Sequence, residues 1–155
     1  MFRIYDKMEK EIKVIIMKRT TTRKIAMMCL YNYSMNKVLD IDSVISMFEE
    51  DYQYDRAYLE SLVNGVISNL SDIDYEIAKC LDNYSIERLN LVDLNLVRIA
   101  IYEAKYLALP IEVVIDESIE IAKEYSETED TKTSKFNNAL LDKIFRDLGL
   151  KDERK

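Results

Sequence analysis

The chain has 155 residues, enough for one domain with its own core and no covalent staples. With 48% hydrophobic and 33% charged residues but only two glycines and one proline, it is too poor in turn formers for hairpins and barrel corners, and this points to helices. A formal charge of −7 excludes a protein that coats nucleic acid with its whole surface, and the lack of histidine excludes His-containing triads, imidazole metal ligands and Glu-x-x-His di-iron sites.

Residues 1–16, MFRIYDKMEKEIKVII, carry helical spacing through Ile4, Met8, Ile12 and Ile15, but they precede a second plausible start at Met17 and read as an appended extension. MKRTTTRK, 17–24, then sets four positive charges and no acid at the head of an acidic chain. Its threonines are candidates to cap a helix over about 21–35, with Ile25, Met28 and Cys29 on one side. Asp40 or Asp42 is expected to cap a short helix bearing Val44, Ile45, Met47 and Phe48, which the acidic EED at 49–51 ends in solvent. From Asp55 onward, Leu59, Leu62, Val63, Val66, Ile67 and Leu70 recur at helical offsets, and Gly65 among them is expected to allow close helix packing. SDID at 71–74 offers caps for a shorter helix with Ile73, Ile77, Cys80 and Leu81.

Residues 89–109, LNLVDLNLVRIAIYEAKYLAL, are apolar nearly all round and read as a central helix, with Asp93 a candidate N-cap. Pro110 suits the first turn of the next helix, which carries Ile111, Val114, Ile115, Ser118, Ile119 and Ala122. After the polar loop SETEDTKT, a last helix bears Phe136, Leu140, Leu141, Ile144, Phe145 and Leu148. Periodicity places Phe136 in the core, Gly149 stops the helix, and the tail from 150 to 155 is read as frayed.

No strand pattern competes and the connections are short, so the expected fold is all-α, a single compact bundle of about seven helices. Gly65 and Gly149 lie too far apart for a P-loop or dinucleotide fingerprint, and the acidic clusters lack the ligand order of an EF-hand loop. Cys29 and Cys80 have no CxxC spacing and read as reduced core thiols. No run approaches the ~18 apolar residues of a membrane span, so a cytoplasmic location is expected. Arg98, inside an apolar helix, is expected to pair with a buried carboxylate. Neither catalysis nor a cofactor is expected, and binding remains. Lys18, Arg19, Arg23 and Lys24, followed by Tyr31, Tyr33 and Lys37 with no acid before Asp40, have the composition of a single-stranded nucleic-acid site: charge for phosphates, rings for bases. The same composition also fits a basic stretch that balances neighbouring acids, with its tyrosines half-buried.

RKIAMMCLYNYSMN resembles the N-terminal helix of the NusB family of transcription antitermination factors. The stretch from NYSIERLNLVDLNLVRIAIYEAKYLALP to EYS resembles the family's central part, with Arg88, Asp93, Arg98, Tyr102, Glu103, Pro110 and the run Ile115 to Lys123 in order. SKFNNALLDKI is similar to the family's KFVNGVLDKI. The resemblance implies an all-helical, two-subdomain RNA-binding domain over 17–149. It further implies a non-catalytic role within the transcription elongation complex, binding boxA-type RNA together with the ribosomal protein NusE so that ribosomal RNA operons are completed. It assigns Lys18, Arg19, Arg23 and Lys24 to phosphates, Tyr31, Lys135, Phe136 and Asn138 to the RNA path, and Asp93 to the NusE side.

The chain departs from the family pattern at RTTTR, where three consecutive basic residues are frequent, at Leu94 in place of a basic residue, and at Ala139 in place of glycine. Its loop ETEDTKTS is longer than usual, which leaves Glu129, Asp130 and Lys132 as alternatives for one loop role. A weaker or redistributed RNA affinity is expected. Two other readings stand beside this one: an RNA-binding module serving ribosomal RNA methylation, disfavoured by the expectation that no cofactor domain follows Lys155, and a purely protein-binding scaffold. Low glycine and a broad apolar surface permit a homodimer.

Overall fold

The structure, a computed structural model, describes residues 2–48, 50, 52–128 and 132–151. Seven α-helices run through these residues: α1 (Phe2–Asn36), α2 (Ile41–Ile45), α3 (Arg56–Ser68), α4 (Leu70–Lys79), α5 (Leu91–Ile101), α6 (Ile111–Tyr125) and α7 (Thr133–Asp147). A 3-10 turn, Ile86–Arg88, leads into α5, and a π turn, Tyr102–Tyr106, leads out of it. The all-α expectation holds. α5 is the central helix: α1, α3 and α4 pack on it from one part of the chain, α6 and α7 from the other. Nine of its eleven residues, all those from Asp93 to Ile101, are buried and leave no solvent face, as an all-round apolar pattern requires. None of the helices among the described residues is long and apolar enough to cross a membrane.

Local chemistry explains most boundaries. Asp40 caps α2 by accepting from the Ser43 amide at 3.1 Å, and Asp55 caps α3 by accepting from the Tyr58 amide at 3.0 Å. The stripe Leu59, Leu62, Val63 and Val66 is buried, as its spacing demands. α7 ends at Gly149, φ +73°, in a double hydrogen-bonded wrap: the Leu150 amide donates to the Phe145 carbonyl at 2.8 Å and the Gly149 amide to the Arg146 carbonyl at 3.0 Å. Cys29 and Cys80 are free, buried thiols, and burial pushes the Cys29 thiol up to about 11.

Several expectations are corrected. α1 does not begin at the threonines but runs unbroken from Phe2, and the threonines lie inside it, with Thr20 Oγ1 donating to the Ile16 carbonyl at 3.0 Å and Thr22 Oγ1 to the Lys18 carbonyl at 2.7 Å. α4 starts at Leu70, ahead of SDID. Asn90 caps α5, accepting from the Val92 amide at 2.8 Å, because Asp93 already lies within the helix. The predicted helix over 89–109 splits, since the Leu107 amide reaches back five residues to the Tyr102 carbonyl at 3.2 Å and Ala108 turns left-handed at φ +56°. Within EED, Glu49 and Asp51 lie outside the described residues, as do Glu129, Asp130 and the tail from 152.

Residues 3–18 of α1 are exposed on every face. Deleting residues 1–16 therefore removes no buried side chain among residues 3–16. The thermal midpoint of the truncated chain, followed by circular dichroism, is expected within about 3 °C of the full chain, the effect of ~1 kcal/mol or less. A drop of ten degrees would make the extension an integral part of the fold.

Candidate nucleic-acid interface

The basic stretch at the middle of α1 does not form one patch. Successive helical residues turn by about 100°, so Lys18, Arg19, Arg23 and Lys24 point in different directions, and the neighbours of each face decide its use. Lys18 is exposed. The Arg19 guanidinium stacks 3.6 Å above the Tyr58 ring and lies 4.0 Å from Asp55, half-exposed on the α3 side. Lys24 turns towards α6 and pairs with Glu124 at 2.7 Å. Tyr31, two turns further on the same face as Lys24, keeps an exposed ring.

Arg23 is the exception that corrects the reading of this stretch. It is 5% exposed, and its guanidinium is occupied within the fold: Nε and Nη2 donate to Glu103 at 2.9 Å each, and Nη1 faces Glu117 at 3.3 Å. Burial alone would lower its pKa, but the hydrogen bonds and charges of Glu103 and Glu117 outweigh it and raise the value. Glu103 is 1% exposed, and the Tyr58 hydroxyl also donates to it. Burial and the charge of Glu103 push the Tyr58 phenol up, so it stays a donor. A residue assigned to phosphates from its place in the sequence is an internal strut between α1, the π turn and α6. Arg98 is ion-paired as expected, though its partner is only half-buried: it forks onto Asp74 with two bonds of 2.8 Å and reaches Asn95 at 3.0 Å.

At the start of α7, Lys135, Phe136 and Asn138 are all exposed, while Asn137 between them is fully buried. Phe136 is 42% exposed, against its periodicity: α7 begins at Thr133, and this first turn overhangs the core that Leu140, Leu141 and Ile144 enter. Its ring leans on Tyr84, 43% exposed, with centroids 6.3 Å apart, and the Arg88 guanidinium sits 5.3 Å from the Tyr84 ring. Tyr84 was missed in the sequence, and Arg88, though matched to the family pattern, was given no site role; an aromatic and an arginine four residues apart in a turn-forming segment was the available signal. Together with Lys132 these side chains border a groove of about 550 Å³ whose lining includes Asp93.

Asp93 is 4% exposed. Its Oδ1 accepts from the Ser126 hydroxyl at 2.7 Å and from Asn137 Nδ2 at 3.1 Å, so the carboxylate ties α5 to the α6–α7 connection. That connection is closed by Glu127, which accepts from the Ser134 hydroxyl and is held below the usual carboxylate range by that bond. The structure thus keeps Lys135, Phe136 and Asn138 together on one turn, sets Asp93 in the groove beside them, and leaves the α1 cations spread around their helix.

A family model described as "NusB family" matches residues 20–146. The chain is 46% identical over 129 residues to a transcription antitermination protein NusB of Listeria innocua, covering 83% of this chain and 96% of that protein. It is 37% identical over 138 residues to the protein of the same name from Thermoanaerobacter sp. (strain X514), covering 88% and 96%. Among solved structures it is similar to T. maritima NusB, with a TM-score of 0.67 and 35% identity over 82% of this chain and 89% of that one. A chain from the crystal structure of antitermination factors NusB and NusE in complex with dsRNA gives a TM-score of 0.67 at 24% identity, covering 84% and 97%, a likeness of fold.

Proposed function

The chain belongs to the NusB family, and from that premise we propose that it is a non-catalytic RNA-binding adaptor of transcription antitermination, acting with a NusE-type partner on boxA-type RNA in the elongation complex. The observation that carries the reading is the exposed first turn of α7, where Lys135, Phe136 and Asn138 present a cation, a ring and an amide to solvent. Lys18, Arg19 and Lys24 supply further positive charge from α1, and Tyr31 a further ring. Arg23 has no part in this list, because its guanidinium is spent on Glu103 and Glu117.

Electrostatics makes the partner necessary. With 29 acidic against 22 basic side chains the chain's field repels phosphates, and only cations within about a Debye length, ~8 Å at physiological salt, attract them. Lys24 and Arg19 are also partly neutralised by Glu124 and Asp55. A basic partner docked where α5 begins, around Asp93, offsets the repulsion. The test is fluorescence anisotropy of a labelled boxA-type RNA titrated with this chain at fixed salt, with and without saturating NusE. NusE is expected to tighten binding about ten-fold or more, a coupling of ~1.4 kcal/mol. Arg19→Ala is expected to lower the slope of log affinity against log salt by about one. Equal dissociation constants in the two titrations would sink the adaptor reading.

A further inference from the structure

We propose that residues 4–16 of α1 are a docking surface for the same segment of a second copy of this chain, the two helices pairing antiparallel. The surface lies outside residues 20–146, which carry the family match, and it is independent of the RNA-binding reading.

Residues 3–18 project from the bundle as a helix about 24 Å long. At about 100° per residue, Ile4, Tyr5, Met8, Ile12, Ile15 and Ile16 fall on one arc of about 120°, and each leaves more than half of its surface in solvent. All seven charged side chains between residues 3 and 16 lie outside that arc. A helix of this length is marginal alone in water, because most helical stability comes from packing an apolar face. The pattern is that of a helix with a partner.

Charge, area and direction make that partner a second copy. Of the seven charges four are basic and three acidic, so the segment carries almost no net charge to repel its own copy. A helix that lies on anionic lipid has a polar face rich in Lys and Arg, and a chain at −7 is itself repelled from such a surface. Two stripes of six side chains bury on the order of 1,000 Å², which a specific interface needs. Thr22, Ala26 and Leu30 continue the same arc and are buried where α1 packs on α3 and α5. A parallel partner helix would therefore run into the bundle. An antiparallel one, centred near residue 10, ends where the bundle begins and carries its own bundle beyond the N-terminus of α1. Met8 of each copy then meets Ile12 of the other, and Tyr5 meets Ile15.

Sedimentation velocity of the full chain at about 50 μM, a concentration suited to an interface of modest area, is expected to give a dimer. Ile12→Asp sets two carboxylates in the seam and is expected to weaken pairing about ten-fold or more. Val14→Asp, at a half-exposed apolar residue on the opposite side of the helix, is expected to leave pairing unchanged. Both positions are exposed, so both variants should keep the wild-type circular dichroism and the thermal midpoint of the bundle. Under a mild oxidant, Glu11→Cys, beside the two-fold axis, is expected to form a disulfide between copies. Ile4→Cys is not, because its two copies lie about 18 Å apart along the helices. Cys29 and Cys80 are buried and stay out of the reaction. A monomeric wild type, a dimer that persists in Ile12→Asp, or one that is lost in Val14→Asp overturns the proposal. Crosslinking of Ile4→Cys in place of Glu11→Cys overturns the antiparallel arrangement. A monomer that co-sediments with vesicles of equal parts phosphatidylserine and phosphatidylcholine overturns the pairing and assigns the stripe to lipid.

Discussion

Arg23→Ala is expected to cost about 3–5 kcal/mol of stability, the usual penalty for stranding a buried charge by deleting its partner. The substitution leaves Glu103, 1% exposed, with the Tyr58 hydroxyl as its remaining donor and takes the facing cation from Glu117. For a chain of this size the thermal midpoint should fall by roughly 10 °C or more. Arg23→Lys is expected to recover only part of the loss, since a single ammonium cannot reproduce the fork onto Glu103 while also facing Glu117. Circular dichroism melts of wild type, Arg23→Ala, Glu103→Gln and the double variant form a cycle, and the two single losses should be strongly non-additive. An Arg23→Ala chain that melts within two degrees of wild type, yet loses a unit of salt slope in RNA binding, would mean that this guanidinium faces phosphate in solution.

The second large effect is expected at Gly65. A methyl group there would overlap the tip of the Tyr102 ring, which lies directly over the α3 backbone. Elsewhere in a helix, Gly→Ala gains about 1 kcal/mol from propensity, so the sign of the change is diagnostic. Here the ring must swing away, breaking its stack on Tyr106, 5.4 Å between centroids at 25°, and loosening the seam between α3 and the π turn. Net destabilisation of about 1–3 kcal/mol is expected, the usual cost of overpacking. Tyr102→Ala in the Gly65→Ala background should reverse the sign, because the added methyl then has room. A Gly65→Ala chain that unfolds at higher denaturant than wild type would show that the ring does not occupy this position.

These two sites mark how far the sequence could be read. Gly65 stood out inside an apolar stripe, and its use for close packing was legible because glycine has few other reasons to interrupt a good helix. The residue that exploits it, 37 positions later on a π turn, was not. Arg98 was legible as an ion-paired arginine since it sits among apolar neighbours, though its partner Asp74 was not. Arg23 gave the opposite signal: three other cations within six residues made it look like part of a surface. Phe136 misled in the other direction, because a position in phase with Leu140 is buried only if the core extends as far as the first turn of α7.

Helical periodicity, caps and the stop at Gly149 are properties of neighbouring residues. The helices, their apolar faces, the central position of α5 and the family pattern therefore follow from the chain read locally. The direction in which each charge is spent depends on groups far along the chain. Arg23 meets Glu103 and Glu117 only after α1, the π turn and α6 have packed, and the groove gathers Tyr84, Asp93 and Phe136 from three separate segments. Burial makes an unpaired charge too costly to leave, so packing decided that Arg23 holds the fold together and left Lys135 and Phe136 exposed to solvent.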